Sequence, residues 1–314
     1  MKKLRLIPMI SLAALLSGCS LFGGKAKAPS FSKEGEEVSY TEFMEKYQKS
    51  LDNSELADYD SKLGDRSLKA SASYSESTVL KRGKKEVRKE ERSYTIKGES
   101  QYDYDNLVAK ATSETKSTQK ATTQEGNGST TETYKTEMYY QFTKIDGTKY
   151  LVSANAKTNV YSQYRPVMSG TDEDDVFDSY VRSNLSSSSY MFANYIPSSK
   201  EEAKDYLFYV NDDLFTIVYN DEDEDNSIKE YTDQTKTKIK VQIDLTDKKQ
   251  AVRIVDEKKR ERTYNKDYNG YLEDDVETYE EVTYADYSVS AKDVKVNEVN
   301  LDDYSLSGSG YYVY

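Results

Sequence analysis

Thr235-Lys236-Thr237-Lys238-Ile239-Lys240-Val241-Gln242-Ile243-Asp244-Leu245 alternates without a fault between side chains that can be buried and side chains that are charged or carry an amide. A β-strand sends successive side chains to opposite faces, so the pattern predicts a strand that buries Ile239, Val241, Ile243 and Leu245 on one side. A helix would scatter the same residues around its circumference. The stretch therefore specifies a half-buried sheet.

The alternation recurs on both sides of this stretch. Leu68, Ala70, Ala72 and Tyr74 alternate with serines and a lysine, and a basic turn around Gly83 leads to a second run with Tyr94 and Ile96. Leu107, Ala109 and Ala111 predict a third strand, which runs into a Ser/Thr/Gln tract through Gly126-Asn127-Gly128, expected to be a mobile loop. Residues 138–145 and 148–152 flank Asp146-Gly147, a strong two-residue hairpin signal. A strict turn there sets Lys144 opposite Lys149, which a bulge or longer loop would relieve. Residues 207–210 and 214–219 flank Asn211-Asp212-Asp213 as a second hairpin. After a turn near Asp247-Lys248, strands are expected at Val252 and Ile254, through Arg262–Tyr264, and from Glu280 to Val289.

Two helices interrupt the strands. Ser39 and Glu42 have capping-box spacing ahead of the stripe Phe43, Met44, Tyr47 and Leu51, in a helix expected to end near Asp58. A second is expected from Thr171, with Asp172, Glu173, Asp174 and Asp175 at its positive end and Val176, Phe177, Tyr180, Val181 and Leu185 on one face. Pro197 closes this region, and Ser199 with Glu202 caps a further short turn. No alternation of strand and helix points to a parallel sheet.

The chain begins with Met1, Lys2, Lys3 and Arg5, then an apolar run from Leu6 to Leu16 that is shorter than the ~20 residues a spanning helix needs. Leu16-Ser17-Gly18-Cys19 resembles the bacterial lipobox. The resemblance implies cleavage after residue 18 and a diacylglycerol thioether on Cys19, followed by a flexible tether over 19–38 and one β-rich extracytoplasmic domain over 39–314. Two acyl chains suffice for stable anchoring where one does not. The expected localisation is the cell membrane, lipid-anchored on its extracytoplasmic face. In a host with two membranes, Ser20 stands where an aspartate would resemble an inner-membrane retention signal.

Cys19 is the only cysteine among 314 residues, so no disulfide framework or cysteine-based metal site is available. Hydrophobic residues make up 36% of the chain, below the ~45–50% of ordinary domains on a scale that also counts glycine, and 30 tyrosines compensate by burying rings whose hydroxyls reach water. From Thr171 onward there are 17 bases against 34 acids, which argues against nucleic acid as a partner.

The predicted fold is α+β: a mainly antiparallel sheet curled into an open half-barrel, with two or three helices packed on its concave side. This order of elements, with the lipobox, resembles the LolA/LppX-like lipoprotein superfamily. The resemblance implies an apolar cavity that takes an acyl chain or another amphiphile.

Candidate chemistry is sparse. Histidine is absent, which removes histidine triads and histidine–metal sites, and lipidation would occupy the one thiol. No catalytic residues, cofactor or resident metal are assigned, and the protein is expected not to be an enzyme. Asp221, Asp223 and Asp225 match the first three ligand spacings of an EF-hand, with Ile228 at its apolar position. Asn226 replaces the glycine, however, and Thr232 replaces the bidentate glutamate, so only weak calcium binding is expected. The other reading is a solvated acidic hairpin tip. The basic segment Lys81–Lys89 either contacts anionic lipid or wall polymer or is a soluble turn.

Tyr74, Tyr94, Tyr140, Phe142, Phe177, Tyr180, Ile239, Val241 and Ile243 are the candidates for a cavity lining, although the same positions would serve a closed core. The expected function is a non-enzymatic, membrane-anchored lipoprotein that binds a lipid or amphiphile. The alternative is a cell-surface structural or interaction lipoprotein with no ligand cavity, whose protein partner the sequence does not name.

Overall fold

The computed structural model describes residues 30–52, 64–123, 126–193, 195–246 and 249–307, with the side chains of 185–193 and 249 left out. Its elements run β1 (Glu36–Val38), α1 (Tyr40–Asp52), β2 (Arg66–Arg82), β3 (Lys85–Asp103), β4 (Val108–Thr123), β5 (Gly126–Ile145), β6 (Thr148–Asn155), β7 (Val160–Pro166), α2 (Glu173–Ala193), β8 (Tyr206–Asn211), β9 (Leu214–Asp225), β10 (Tyr231–Thr246), β11 (Lys249–Tyr264), β12 (Asp275–Ala291) and β13 (Ser305–Leu306). All the strands form one curled, open sheet in the order β1-β8-β9-β10-β11-β12-β2-β3-β4-β5-β6-β7-β13. Every pairing is antiparallel except that of β13 with β7. Among the described residues, no helix is long and apolar enough to cross a membrane.

The alternation in residues 235–245 is realised in β10. Ile243 and Val241 are fully buried, and their cross-strand partners continue the same face. One transverse row reads Phe208, Ile217, Val241, Ile254, Ala285, Ala72 and Ile96 from β8 across to β3. We call this the inner face, because both α-helices pack on it.

The α1 helix starts where Ser39 Oγ accepts from the Glu42 N–H, which satisfies one of the free donors of the first turn. Its buried Phe43 meets Phe208 and Phe215 at centroid distances of 5.0 and 5.6 Å. The α2 helix is capped by Asp172, whose Oδ1 accepts from the Asp175 N–H. From it, Phe177 packs on Tyr104 and Tyr180 on Tyr140, at 5.1 and 4.6 Å. Leu185, expected on the same face, lies outside the described side chains.

The outer face carries the C-terminal segment as a strap across the strands. The N–H groups of Val294, Val296 and Val299 donate in turn to Asp65 Oδ2, Asp103 Oδ2 and Gln141 Oε1. Val294 and Val296 cover Val108. Asp103 is fully buried. Burial alone would raise its pKa, but the Asn106 side chain and the Val296 and Asn106 N–H groups outweigh that and hold it below its ordinary value.

Several expectations change. The sheet begins inside the segment read as a tether: β1 pairs with Phe208–Val210, and Ser32 exchanges hydrogen bonds with the buried amide of Gln242. Residues 19–29 lie outside the described residues, as do 53–58 of the first expected helix, which is described as far as Asp52. The Ser/Thr/Gln tract is a hairpin, not a loop, since β4 and β5 pair from Ala109–Tyr140 out to Thr123–Gly126. Arg262–Tyr264 ends β11 and is not a separate strand. Asp146 and Gly147 form a strict two-residue turn with φ of 49° and 85°, and Lys144 does face Lys149. In place of a bulge, Lys149 Nζ turns to Glu173 Oε2 at 2.6 Å, so an opposite charge offsets the repulsion.

Candidate functional site

The inner face changes character along the strands. Its lower part, under the helices, holds the apolar core. One row further along, Tyr206, Tyr219, Ile239, Asp256, Thr283, Tyr74 and Tyr94 stand side by side in register, all partly buried. The next row, Asp221, Thr237, Lys258, Glu281, Glu76 and Arg92, is polar throughout.

The nine residues read as a possible lining all lie on or against the inner face. Phe177, Tyr180, Val241 and Ile243 belong to the buried core cluster, and Tyr94, Tyr140, Phe142 and Ile239 pack against it. Tyr140 is closed in by Tyr164 at 5.7 Å and Tyr180 at 4.6 Å. Tyr74 sits opposite Tyr94 on β2 and β3, and its hydroxyl donates to Glu76 Oε2 at 2.7 Å. Burial and that carboxylate raise the Tyr74 pKa well above its ordinary value. Eight of the nine thus lie in or against the core, and Tyr74 is held through its hydroxyl.

The tyrosines share a device that composition alone does not reveal. Tyr74 with Glu76, Tyr219 with Asp221, Tyr279 with Glu281 and Tyr139 with Glu137 are each two apart on one strand, with hydroxyl-to-carboxylate distances of 2.7–2.9 Å. Residues two apart point to the same face, so the ring lies over the sheet and its hydroxyl reaches the neighbouring acid. This pairing is legible in sequence as Tyr-x-Glu/Asp or Glu-x-Tyr.

Asp256 is the partly buried carboxyl of the boundary row. Burial pushes its pKa up to about 6, with the charges of Glu281 and Glu257 adding to the rise, while a hydrogen bond from Tyr195 opposes it.

The calcium reading does not fit the geometry. Asp221, Asp223 and Asp225 lie on β9, paired in register with Thr237, Thr235 and Asp233, where the reading required a loop wrapped around an ion. An extended strand spaces alternate carboxylates too widely to converge on one cation. Among the described residues, no group of three or more acids is placed to hold a metal.

The basic turn is also largely absorbed. Arg82 makes a bidentate pair with Asp275 at 2.9 and 2.8 Å, Arg88 reaches Glu277 and Lys89 pairs with Glu91. Beside it, Tyr264 stacks on Tyr271 at 4.2 Å and Arg262 lies 3.7 Å over the Tyr231 ring while it grips Asp233. These contacts knit together the far end of the sheet, and they leave Lys81, Lys84 and Lys85 exposed.

A groove of about 750 Å³ runs along α1, lined by Tyr40, Met44, Gln48 and Lys49 and by Lys200 from the segment after α2. None of the nine expected lining residues belongs to it. No protein-family model matches the chain, and no curated protein is significantly similar to it.

Proposed function

We infer that this chain is an exported, lipid-anchored protein of the extracytoplasmic membrane face that acts by contact through its sheet, without enzymatic chemistry. One observation carries the choice of contact over lipid carriage. Eight of the nine residues that would have lined an amphiphile cavity belong to the buried core cluster or pack against it, and Tyr74 is held by Glu76. Export and anchoring rest on the signal-like start and on Leu16-Ser17-Gly18-Cys19. The half-barrel likeness to the LolA/LppX-like lipoproteins supports the reading at the level of architecture, and a shared architecture accommodates different functions.

Contact through the sheet is consistent with its exposed, polar far half, where the strands outrun the helices. A second reading, capture of an amphiphile, is favoured only by the groove beside α1, where Tyr40 and Met44 give apolar contact and Lys49 and Lys200 stand among the carboxylates of Glu45 and Asp52, a charge-balanced rim suited to a zwitterionic headgroup. Metabolic labelling with a tagged fatty acid, followed by cross-linking on intact cells, tests the first reading. Label on the wild type and not on Cys19→Ser, with cross-links to a surface component, supports it. An unlabelled wild type, or a labelled protein that yields no cross-link, contradicts it.

A further inference from the structure

Among the described residues, two long stretches of strand edge are unpaired, and they differ in what they present. Past its last pair with β8, Tyr219–Tyr206, β9 runs on as Asn220-Asp221-Glu222-Asp223-Glu224-Asp225. Five successive carboxylates guard that edge against pairing with a like strand. On the other side, β6 covers β5 only from Met138 onward. Among the described residues, no strand pairs with the outer edge of β5 over 126–136, and residues 126–135 are all exposed. This edge reads Gly126-Asn127-Gly128-Ser129-Thr130-Thr131-Glu132-Thr133-Tyr134-Lys135, with one acid and one base.

The ladder determines which backbone groups face outward. The Glu137 carbonyl accepts from the Ala156 N–H, on the β6 side, and backbone direction alternates along an antiparallel strand. The outward N–H and C=O groups are therefore those of Asn127, Ser129, Thr131, Thr133 and Lys135. A partner strand must offer outward groups at the same spacing.

We propose that this edge pairs with the same edge of a second copy of the chain, antiparallel about Thr131. In that register Thr131 faces Thr131, Ser129 faces Thr133 and Asn127 faces Lys135, so outward groups meet outward groups and about ten hydrogen bonds close. Glu132 falls opposite Thr130, so no like charges face each other. Tyr134, which is 58% exposed, falls opposite Gly128, where an aromatic ring covers the bare backbone of a glycine. Moving the centre to Glu132 would set two glutamates face to face. Each copy's open stretch ends where β6 begins, so two such stretches fill one another. The interface is isologous, as a two-fold pair requires. Little apolar area is covered, so pairing is weak in dilute solution and gains from confinement of both copies to one membrane. The confinement rests on the anchoring part of the proposed function, but the pairing itself needs no foreign component, so a missing surface partner leaves it untouched.

Single cysteines placed from Asn127 to Lys135 in the full-length chain, oxidised in native membranes, test the register. Disulfide-linked dimer is expected to peak at Thr131→Cys, where the paired Cα atoms stand about 5.5 Å apart. Yield is expected to fall about tenfold at Asn127→Cys, whose own copy lies far beyond disulfide reach. The unmodified chain, carrying Cys19 alone, provides the background. Because the Thr131 N–H faces outward, Thr131→Pro removes no backbone bond of the β4–β5 hairpin, only the exposed hydroxyl contact with Thr118 at 3.3 Å, which Thr131→Val removes alone as a control. Thr131→Pro is expected to abolish the dimer trapped by Ser129→Cys combined with Thr133→Cys while leaving the circular dichroism spectrum unchanged. A flat yield along the strand, a trapped dimer that survives Thr131→Pro, or cross-links only to a different protein would overturn the proposal.

Discussion

The Tyr195 hydroxyl donates to Asp256 Oδ2 over 3.3 Å, joining the chain just after α2 to the middle of β11. The carboxyl is partly desolvated and its pKa is pushed up to about 6, so the folded state holds this proton more tightly than the unfolded chain, where the value is about 4. Its contribution to stability is therefore fully present below pH ~4 and is lost as pH rises through ~6. Unfolding of the wild type and of Asp256→Asn in urea, from pH 4 to pH 8, isolates this group. The difference between the two is expected to move in favour of the variant as pH rises, by on the order of 2 kcal/mol in total. Other carboxylates act in the opposite sense. Glu137, held down at about 2 by Lys110, Lys157 and Tyr139, is one of them, so the difference is more informative than either curve alone.

Asp103 ties the C-terminal strap to the outer face. Its pKa is lowered, so its stabilisation is present at neutral pH and lost as pH falls through the folded-state value. Asp103→Ala removes an acceptor for the Val296 N–H and for two donors of Asn106. A loss of roughly 2–3 kcal/mol is expected, because buried donors are left without partners. Denaturant unfolding at pH 7 measures it, and hydrogen exchange at Val296 should rise with it.

Gly35 stands where β1 passes β8. A Cβ there would lie 1.9 Å from the Val210 carbonyl oxygen, which backbone cannot accommodate. Gly35→Ala is expected to undock residues 30–38, and limited proteolysis should then cut this segment faster while the thermal midpoint of the sheet changes little. Uncut wild type and uncut variant alike would refute the close approach.

Phe43 is fully buried between Phe208 and Phe215. Phe43→Ala should cost about 3–5 kcal/mol, the usual loss for a buried aromatic ring. The conservative Phe43→Leu should cost less, which thermal unfolding of both can check.

The lower half of the sheet was legible because one face there is buried. Leu68, Ala70, Ala72 and Tyr74, or Ile239 through Leu245, carry a period of two that no other structure would bury as well. The upper half of β4 and β5 was not legible, because residues such as Gln119, Thr131 and Lys135 are exposed on their strands and impose no alternation. What marks these strands is register, inherited from the paired lower half, which a local reading does not see. The cap at Ser39 was legible from its spacing to Glu42, whereas Asp172, read as the first acid inside a helix from Thr171, stands before the helix and caps it. The docking of residues 30–38 left little local signal, since it depends on Gln242, more than two hundred residues away in sequence. The nine inner-face residues were found by pattern, but pattern could not tell a lining from a packed core, because both need apolar side chains at the same alternating positions.

The most direct test of the central claim is native mass spectrometry of the domain from Ser30 onward, purified without detergent and then incubated with membrane lipids. A bare polypeptide mass, unchanged by the incubation, is the result expected of an inner face filled by its own side chains. A reproducible added mass that extracts into organic solvent would contradict that claim and turn attention to the groove along α1.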